Sequence, residues 1–319
     1  LRFQLGIPFF FGGIAKLNSD WLYGGEPMRI WLSPFKKIVG VGHLFTAEWV
    51  VYSFVIGGLL LDLLVVPLLL WRRTRPFAFA AAILFNLVNA VIFEIGIFPW
   101  LMLGALLIFF PPDLVRRFAR AFMSPGEEFG DAKPLEASVK PGTVTGSSCP
   151  SLSTSQKVVV GLLAAYVVVQ LLLPLRHFLY PGNVSWTEEG HNFAWHMKLR
   201  TKGGEAVFTV TDPRSGQTWT IKPADYLESH QVTKMSTKPD LLVLFAHHLA
   251  EEKRREGYAD VEVRARVMVS LNGREPQVLI DPNVDLAKEE VSLLPARWIV
   301  PLTTPLGNSS TSTAADIDE

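Results

Sequence analysis

The chain is poor in cysteine: Cys149 is the single one among 319 residues, and it sits in a Ser/Pro/Gly stretch. One thiol cannot close an internal disulfide, and no C-x-x-C or His/Cys spacing of metal-site type occurs. Neither a disulfide framework nor a zinc site is therefore legible, and the cysteines do not report a redox compartment. A charge excess is lacking as well. The 30 basic residues meet 30 acidic ones, which argues against a nucleic-acid partner held on a basic surface. No internal repeat is evident, and the signal-peptide order of charged start, apolar middle and small-residue cleavage site is missing. Residue 1 is Leu and the first apolar run looks cut rather than begun, so the expectation is a fragment of a longer membrane protein that lacks an N-terminal transmembrane portion.

What the chain has in quantity is apolar sequence, and it is concentrated before residue 180. At 1.5 Å rise per residue, a hydrocarbon core of about 30 Å takes roughly 20 apolar residues. Residues 49 to 71, "WVVYSFVIGGLLLDLLVVPLLLW", meet that length, as do residues 77 to 98 and residues 158 to 175 with their flanks. The runs at 3 to 15 and 101 to 110 are shorter and read as truncated or tilted spans.

Cations set the orientation. "RRTRP" at 72 to 76 and the stretch from Pro111 to Lys157 carry most of the flanking Arg and Lys and are expected on the cytoplasmic side. Residues 16 to 48 and everything after 176 then share the opposite face. Residues 1 to 123 form the helical membrane part, 124 to 156 a flexible linker of turn formers, and 157 to 180 the last membrane helix. Residues 181 to 303 form an extracytoplasmic β-rich domain, followed by a polar tail, 304 to 319, expected to be disordered. In the β-rich part "FAWHMKL" at 193 to 199 alternates, "AVFTV" and "TWTI" flank the turn "TDPRSGQ", and two further strands are expected at about 260 to 271 and 276 to 281 across "NGRE". Helical periodicity runs from 240 to 257. The fold class is a membrane all-α helical bundle followed by a soluble β-rich, sandwich-like domain with a helix.

Polar residues inside apolar runs are costly and face a cavity or a partner. Asp62 lies mid-span in "GGLLLDLL". Asn86 and Asn89, three apart on the next span, share a face. All three read either as hydrogen-bonding glue between helices or as polar groups of a pocket. Lys16, at the end of "FFGGIAK", reads either as a snorkelling interfacial lysine or as an amine at the rim of a pocket, where partial burial suits it to act as a base. His247 and His248 match no zinc spacing and fit a solvent-facing helix.

These residues also carry a resemblance. In order along the chain, "GIAKLNSDWL", "GEPM", "SPFK", "GGLLLDL", "FEIGIFPWLML", "LRHFLYPGNVSWTEEGHNFAWHMKLR" and "VSLNGREPQVLIDPNVDL" resemble the vitamin K-dependent γ-carboxylase family, whose members share a horizontally transferred transmembrane (HTTM) domain. The likeness runs from about residue 5 to 303, the linker excepted. It implies a lyase-class membrane enzyme that oxidises vitamin K hydroquinone with O₂ to the epoxide and carboxylates protein glutamate with CO₂ to γ-carboxyglutamate. By this resemblance Lys16 falls on the family's active-site lysine, the base on the hydroquinone. Phe98, Met102, Trp195 and Met197 fall on residues lining the hydroquinone pocket, and His191 stands where animal members place a tyrosine.

The division of labour makes chemical sense. A glutamate γ C–H lies roughly fifteen pK units beyond an amine, on the order of 20 kcal/mol. A phenolic hydroxyl near pKa 10 is within reach, and the oxygenated quinone alkoxide formed afterwards takes the glutamate proton. The implied partners are a glutamate-containing protein or peptide and membrane lipid, with no metal; the expected location is a bacterial plasma membrane. Departures from the family pattern are Asn86, where histidine is frequent, a shorter loop between Met28 and Ser33 without the family's arginine, and no cysteine partner for the animal disulfide. The missing N-terminal portion would also hold a second histidine of the catalytic region. Two alternatives remain: a hydroquinone epoxidase without carboxylation, and a non-catalytic quinone-binding scaffold.

Overall fold

The computed structural model describes residues 1–93, 95–113 and 153–306. Glu94, residues 114 to 123 of the expected helical part, the expected linker as far as residue 152, and residues 307 to 319 of the expected tail lie outside the described residues.

The membrane part begins with α1 (Arg2–Ala15). A π-helical turn at Asp20–Gly24 and the short α2 (Glu26–Leu32) lead into α3 (Glu48–Leu70), α4 (Arg75–Ile92) and α5 (Phe98–Leu106). Both α3 and α4 are long and apolar enough to cross a membrane, and so is the stretch Thr154–Leu179, which opens with α6 (Thr154–Leu172). The expected spans at 49 to 71 and 158 to 175 fall on helices, whereas the one expected at 77 to 98 is shorter, since α4 ends at Ile92 and Phe98 already opens α5. The runs at 3 to 15 and 101 to 110 became the shorter α1 and the α5 region.

Small residues decide how closely α1 and α3 approach. A Cβ on Gly13 would stand 2.6 Å from Leu63 Cδ2 and 3.3 Å from the Leu63 backbone nitrogen, and one on Gly12 would stand 3.6 Å from Asp62 Oδ2. Backbones of membrane helices come this near only where the interface lacks side chains. Phe9, Val65, Leu69, Ala82, Met102 and Phe109 close the core between α1, α3, α4 and α5. By contrast α6 buries none of its residues. It touches α1 through Tyr166 and Gln4, and a capping box of Ser153 and Gln156 satisfies its first turn. Beyond that polar first turn the surface is almost entirely apolar and uncovered, which suits lipid and not water.

The second part is one antiparallel sheet of four strands in the order β2-β1-β3-β4, with β1 at Lys202–Thr211, β2 at Thr218–Ile221, β3 at Glu262–Leu271 and β4 at Gln277–Val278. The register pairs Phe208 with Ile221 and with Ala265. Period-two alternation sends Ala206, Phe208 and Val210, with Val263, Val267 and Val269, to one face. That face is covered by α9 (Pro239–Arg255) through Leu242, Val243, Phe245 and Leu249. A one-turn α7 (Val184–Thr187) buries Trp186, whose indole donates to the Val300 carbonyl at 2.7 Å. The short α8 (Ser229–Met235) precedes α9. The hairpin across "TDPRSGQ" and the helix expected at 240 to 257 are in place.

One local expectation fails. Residues 193 to 199 are not a strand: Phe193, Trp195 and Lys198 take left-handed backbone at φ 66°, 58° and 47°, and the buried residues of the stretch are Ala194 and Leu199. The apparent alternation has another cause. The segment folds back as turns, with Met197 N–H donating to the Trp195 carbonyl at 2.9 Å, and lies against the membrane helices. There Leu199 joins Trp21, Met28, Val55 and Phe93 in one apolar cluster.

Candidate functional site

Lys16 is the residue that ends α1. Its backbone N–H donates to the Gly13 carbonyl at 3.0 Å, closing the last turn, and its side chain points into the protein. The Nζ donates to Asp62 Oδ2 at 2.5 Å and to the Gly12 carbonyl at 3.4 Å, and lies 5.4 Å from the Trp21 ring centre. Lys16 is only 7% exposed and Asp62 8%, so this lysine does not snorkel. The glycine pair in α1 makes the contact feasible, because it lets α3 bring Asp62 against the final turn. Trp21 is held by its own indole N–H, which donates to the Val55 carbonyl at 3.1 Å.

Lys16 and Asp62 lie on the wall of a cavity of about 460 Å³. This falls within the ~300–1,000 Å³ usual for small-molecule sites, which are mostly apolar with a few convergent polar groups. Seven residues singled out from the sequence line it: Lys16, Asp62, Asn86, Asn89, Phe98, Met102 and Met197. Asn86 is buried and bonds back to the Ala82 carbonyl at 2.8 Å, which fixes its amide within α4.

Trp195 and His191 are not among the lining residues. The Trp195 carbonyl faces α1, 3.8 Å from where a Gly12 Cβ would stand. His191 sits in the second part of the chain beside Arg200, with Nη1 at 3.2 Å from Nδ1, and its ring centre is 5.5 Å from that of His196. Burial, reinforced by Arg200, lowers the His191 pKa to about 3. Burial and the neighbouring His177 do the same for His196, also to about 3. Arg200 also pairs with Glu188. Burial draws Lys202, whose Nζ donates to the Trp186 carbonyl at 2.6 Å, down to about 8 against the pull of Glu188.

Two charged residues of this region carried no role in the sequence reading. Lys198, within the quoted "FAWHMKLR", lines the cavity with its Nζ 5.5 Å from the Phe93 ring centre. Arg274, in the turn "NGRE", pairs with Asp20, four residues beyond Lys16. A buried carboxylate near Lys16 demands a cationic partner, but nothing in local spacing points 254 residues ahead. Neither His247, bonded to the Glu289 carbonyl at 2.8 Å, nor the exposed His248 is near the cavity. Among the described residues no three His, Cys, Asp or Glu side chains gather as a metal site would require.

The helix-walled apolar cavity holds a buried lysine–aspartate pair and is bordered by Met197 and Lys198 from the second part of the chain, and with its three helices long and apolar enough to cross a membrane the chain has the build of a membrane protein. Comparison with protein families agrees. The model of the HTTM domain matches residues 1–114, and that of the vitamin K-dependent gamma-carboxylase lumenal domain matches residues 155–305. The chain belongs to the vitamin K-dependent γ-carboxylase family. No solved structure matches it. Membership implies use of vitamin K hydroquinone, protein glutamate as target and association with a membrane.

Proposed function

We propose that this protein is an integral membrane γ-glutamyl carboxylase, in which oxidation of vitamin K hydroquinone to its epoxide drives carboxylation of protein glutamate, with Lys16 as the base on the hydroquinone. The observation that carries this reading is the placement of the Lys16 amine, buried on the wall of an apolar cavity of about 460 Å³.

The residues present suit a hydroquinone. Phe98, Met102, Phe93 and Leu61 offer apolar wall to its rings and chain, and Lys16, Asn86 and Asn89 are the groups able to engage its hydroxyls. When bound, the hydroquinone together with O₂ supplies the strong base that a glutamate γ C–H requires, one oxygen atom ending in the epoxide and the other in water. Lys16 removes a phenolic proton, a transfer within reach of an amine because amines and phenols in general ionise in the same range. The apolar walls exclude water, so that the glutamate carbanion meets CO₂ before a proton. The β domain supports entry of the protein substrate from the side at which Met197 and Lys198 border the cavity. By the distribution of cations, that side is extracytoplasmic.

The test uses the full chain in nanodiscs. Vitamin K hydroquinone is supplied under O₂ with labelled CO₂ and a glutamate-rich peptide, for wild type and Lys16→Ala. Epoxide that vanishes in the variant, with label in the wild-type peptide, is the expected result. Epoxide without label reduces the protein to an epoxidase. No epoxide from folded wild type overturns the enzyme reading and leaves a quinone-binding scaffold.

A further inference from the structure

We infer that Asp62 is the proton acceptor behind Lys16: it takes the proton of the Lys16 ammonium and thereby frees the amine to deprotonate the substrate hydroxyl. This rests on the assignment of Lys16 as the base.

Three observations lead to it. First, the carboxylate occupies the middle of a membrane helix, where an ionisable side chain is expensive and implies a partner or a task. Second, the partner is the very amine that must act as base, at 2.5 Å, with both side chains buried. Third, Gly13 lets α3 pack close to the last turn of α1, since a Cβ there would stand 2.6 Å from Leu63 Cδ2, and this approach seats the Asp62 carboxylate beside Gly12, 3.6 Å from where a Gly12 Cβ would lie.

An ammonium in an ion pair has no lone pair, so the amine as it stands is no base. Moving one proton across the contact to Asp62 leaves a neutral amine beside a neutral acid. The amine then accepts the phenolic proton and becomes an ammonium again, now facing a phenolate. In total one proton travels from the substrate oxygen to the Asp62 carboxylate. Lys16, Asp62 and the substrate hydroxyl together stay at zero net charge throughout, and the counter-ion of Lys16 changes from carboxylate to phenolate. In a water-poor cavity that neutrality matters, because separated charge is heavily penalised there. Among the described lining residues the other charged group is Lys198, on the far segment and exposed. From α4 the facing polar groups are the amides Asn86 and Asn89.

The experiment is anaerobic binding of vitamin K hydroquinone to the full chain in nanodiscs, followed by difference infrared and ultraviolet spectroscopy. Asp62→Asn, Asp62→Glu and wild type are compared, and epoxidation is assayed separately across pH. Wild type is expected to show a new protonated-carboxyl band together with phenolate absorbance. Asp62→Asn should lose both and epoxidise about 100-fold or more slowly, within the range of a lost acid–base group, whereas Asp62→Glu should restore part of each. Phenolate formation in wild type without a carboxyl band, or an Asp62→Asn variant with unchanged rate and pH profile, overturns the inference. The wild-type spectra decide the matter even if Asp62→Asn does not fold. Failure of the underlying reading looks different, since either wild type would then make no epoxide at all or Lys16→Ala would make as much as wild type.

Discussion

Arg274 holds Asp20 with both terminal nitrogens of its guanidinium, each 2.7 Å from a different carboxylate oxygen. Asn272 adds a third bond to the same carboxylate at 2.7 Å. Asn272 also donates its backbone N–H to the Thr201 carbonyl and accepts the Thr201 N–H on its side-chain Oδ1, each at 2.8 Å, so this clamp ties the turn after Lys16 to the chain that runs from the cavity wall into β1. Beside the apolar contact of Leu199 with Trp21 and Phe93, it is a polar joint between the membrane part and the β domain.

Breaking that joint by Arg274→Ala leaves a buried carboxylate without its partner and is expected to cost about 3 to 5 kcal/mol. Arg274→Lys should recover little, because an ammonium cannot reproduce the two-pronged geometry. Thermal unfolding in nanodiscs measures both. The clamp also sets a pH dependence. Burial alone would raise the Asp20 pKa, but its bonds to Arg274 and Asn272 outweigh burial and hold it below the ordinary 3.8. A carboxyl depressed in the folded state contributes stability that is intact above the unfolded value and lost as pH falls through the folded one. The contribution should be constant from neutral pH to about 4 and vanish only below it.

Gly13→Val tests whether the glycine notch creates the Lys16–Asp62 contact. The added atoms would meet Leu63 at under 3 Å and drive α1 away from α3, an overpacking cost of about 1 to 3 kcal/mol. The expected signature is a loss of hydroquinone oxidation out of proportion to the drop in melting temperature. Full activity in Gly13→Val would show that the notch is dispensable.

Met102→Ala should raise KM for the hydroquinone by about 10-fold, the scale of a lost apolar contact in a binding pocket. The residue is 8% exposed and lines the cavity between α4 and α5. Steady-state kinetics with the hydroquinone varied separates this effect from one on kcat.

The histidine cluster predicts acid sensitivity. His191 and His196 titrate near 3 in place of 6.5 because burial, and neighbouring positive charge after it, disfavour the imidazolium. Between those values the unfolded chain binds more protons than the folded one, so stability rises with pH and declines as pH drops from 6.5 toward 3. His196→Phe should flatten that slope, read as melting temperature against pH. An unchanged slope would rule out His196 as a source.

How far local pattern reaches is clear from particular elements. The span expected at 49 to 71 became Glu48–Leu70, since twenty-odd apolar residues have one way to satisfy their backbone in lipid. The turn "TDPRSGQ" fell between β1 and β2 for the same local reason, its Asp212 carboxylate accepting from the N–H groups of Arg214 and Ser215 at 3.1 and 3.2 Å. The stretch 193 to 199 misled because alternation also arises in a turn segment whose side chains are shared between two domains.

The sequence by itself determined the membrane helices, the hairpin and the two later strands with the helix between them, the family and the standing of Lys16 as a residue to watch. Those depend on short-range periodicity, on turn chemistry and on motifs contiguous in the chain. Only the tertiary structure decided that Lys16 faces Asp62, 46 positions away, that Arg274 answers Asp20, and that Met197 and Lys198 close a cavity walled by α3, α4 and α5 while His191 does not. The physical reason is that a buried charge fixes the sign of its partner but not its address, and the address is set by which helices pack close enough to exclude water.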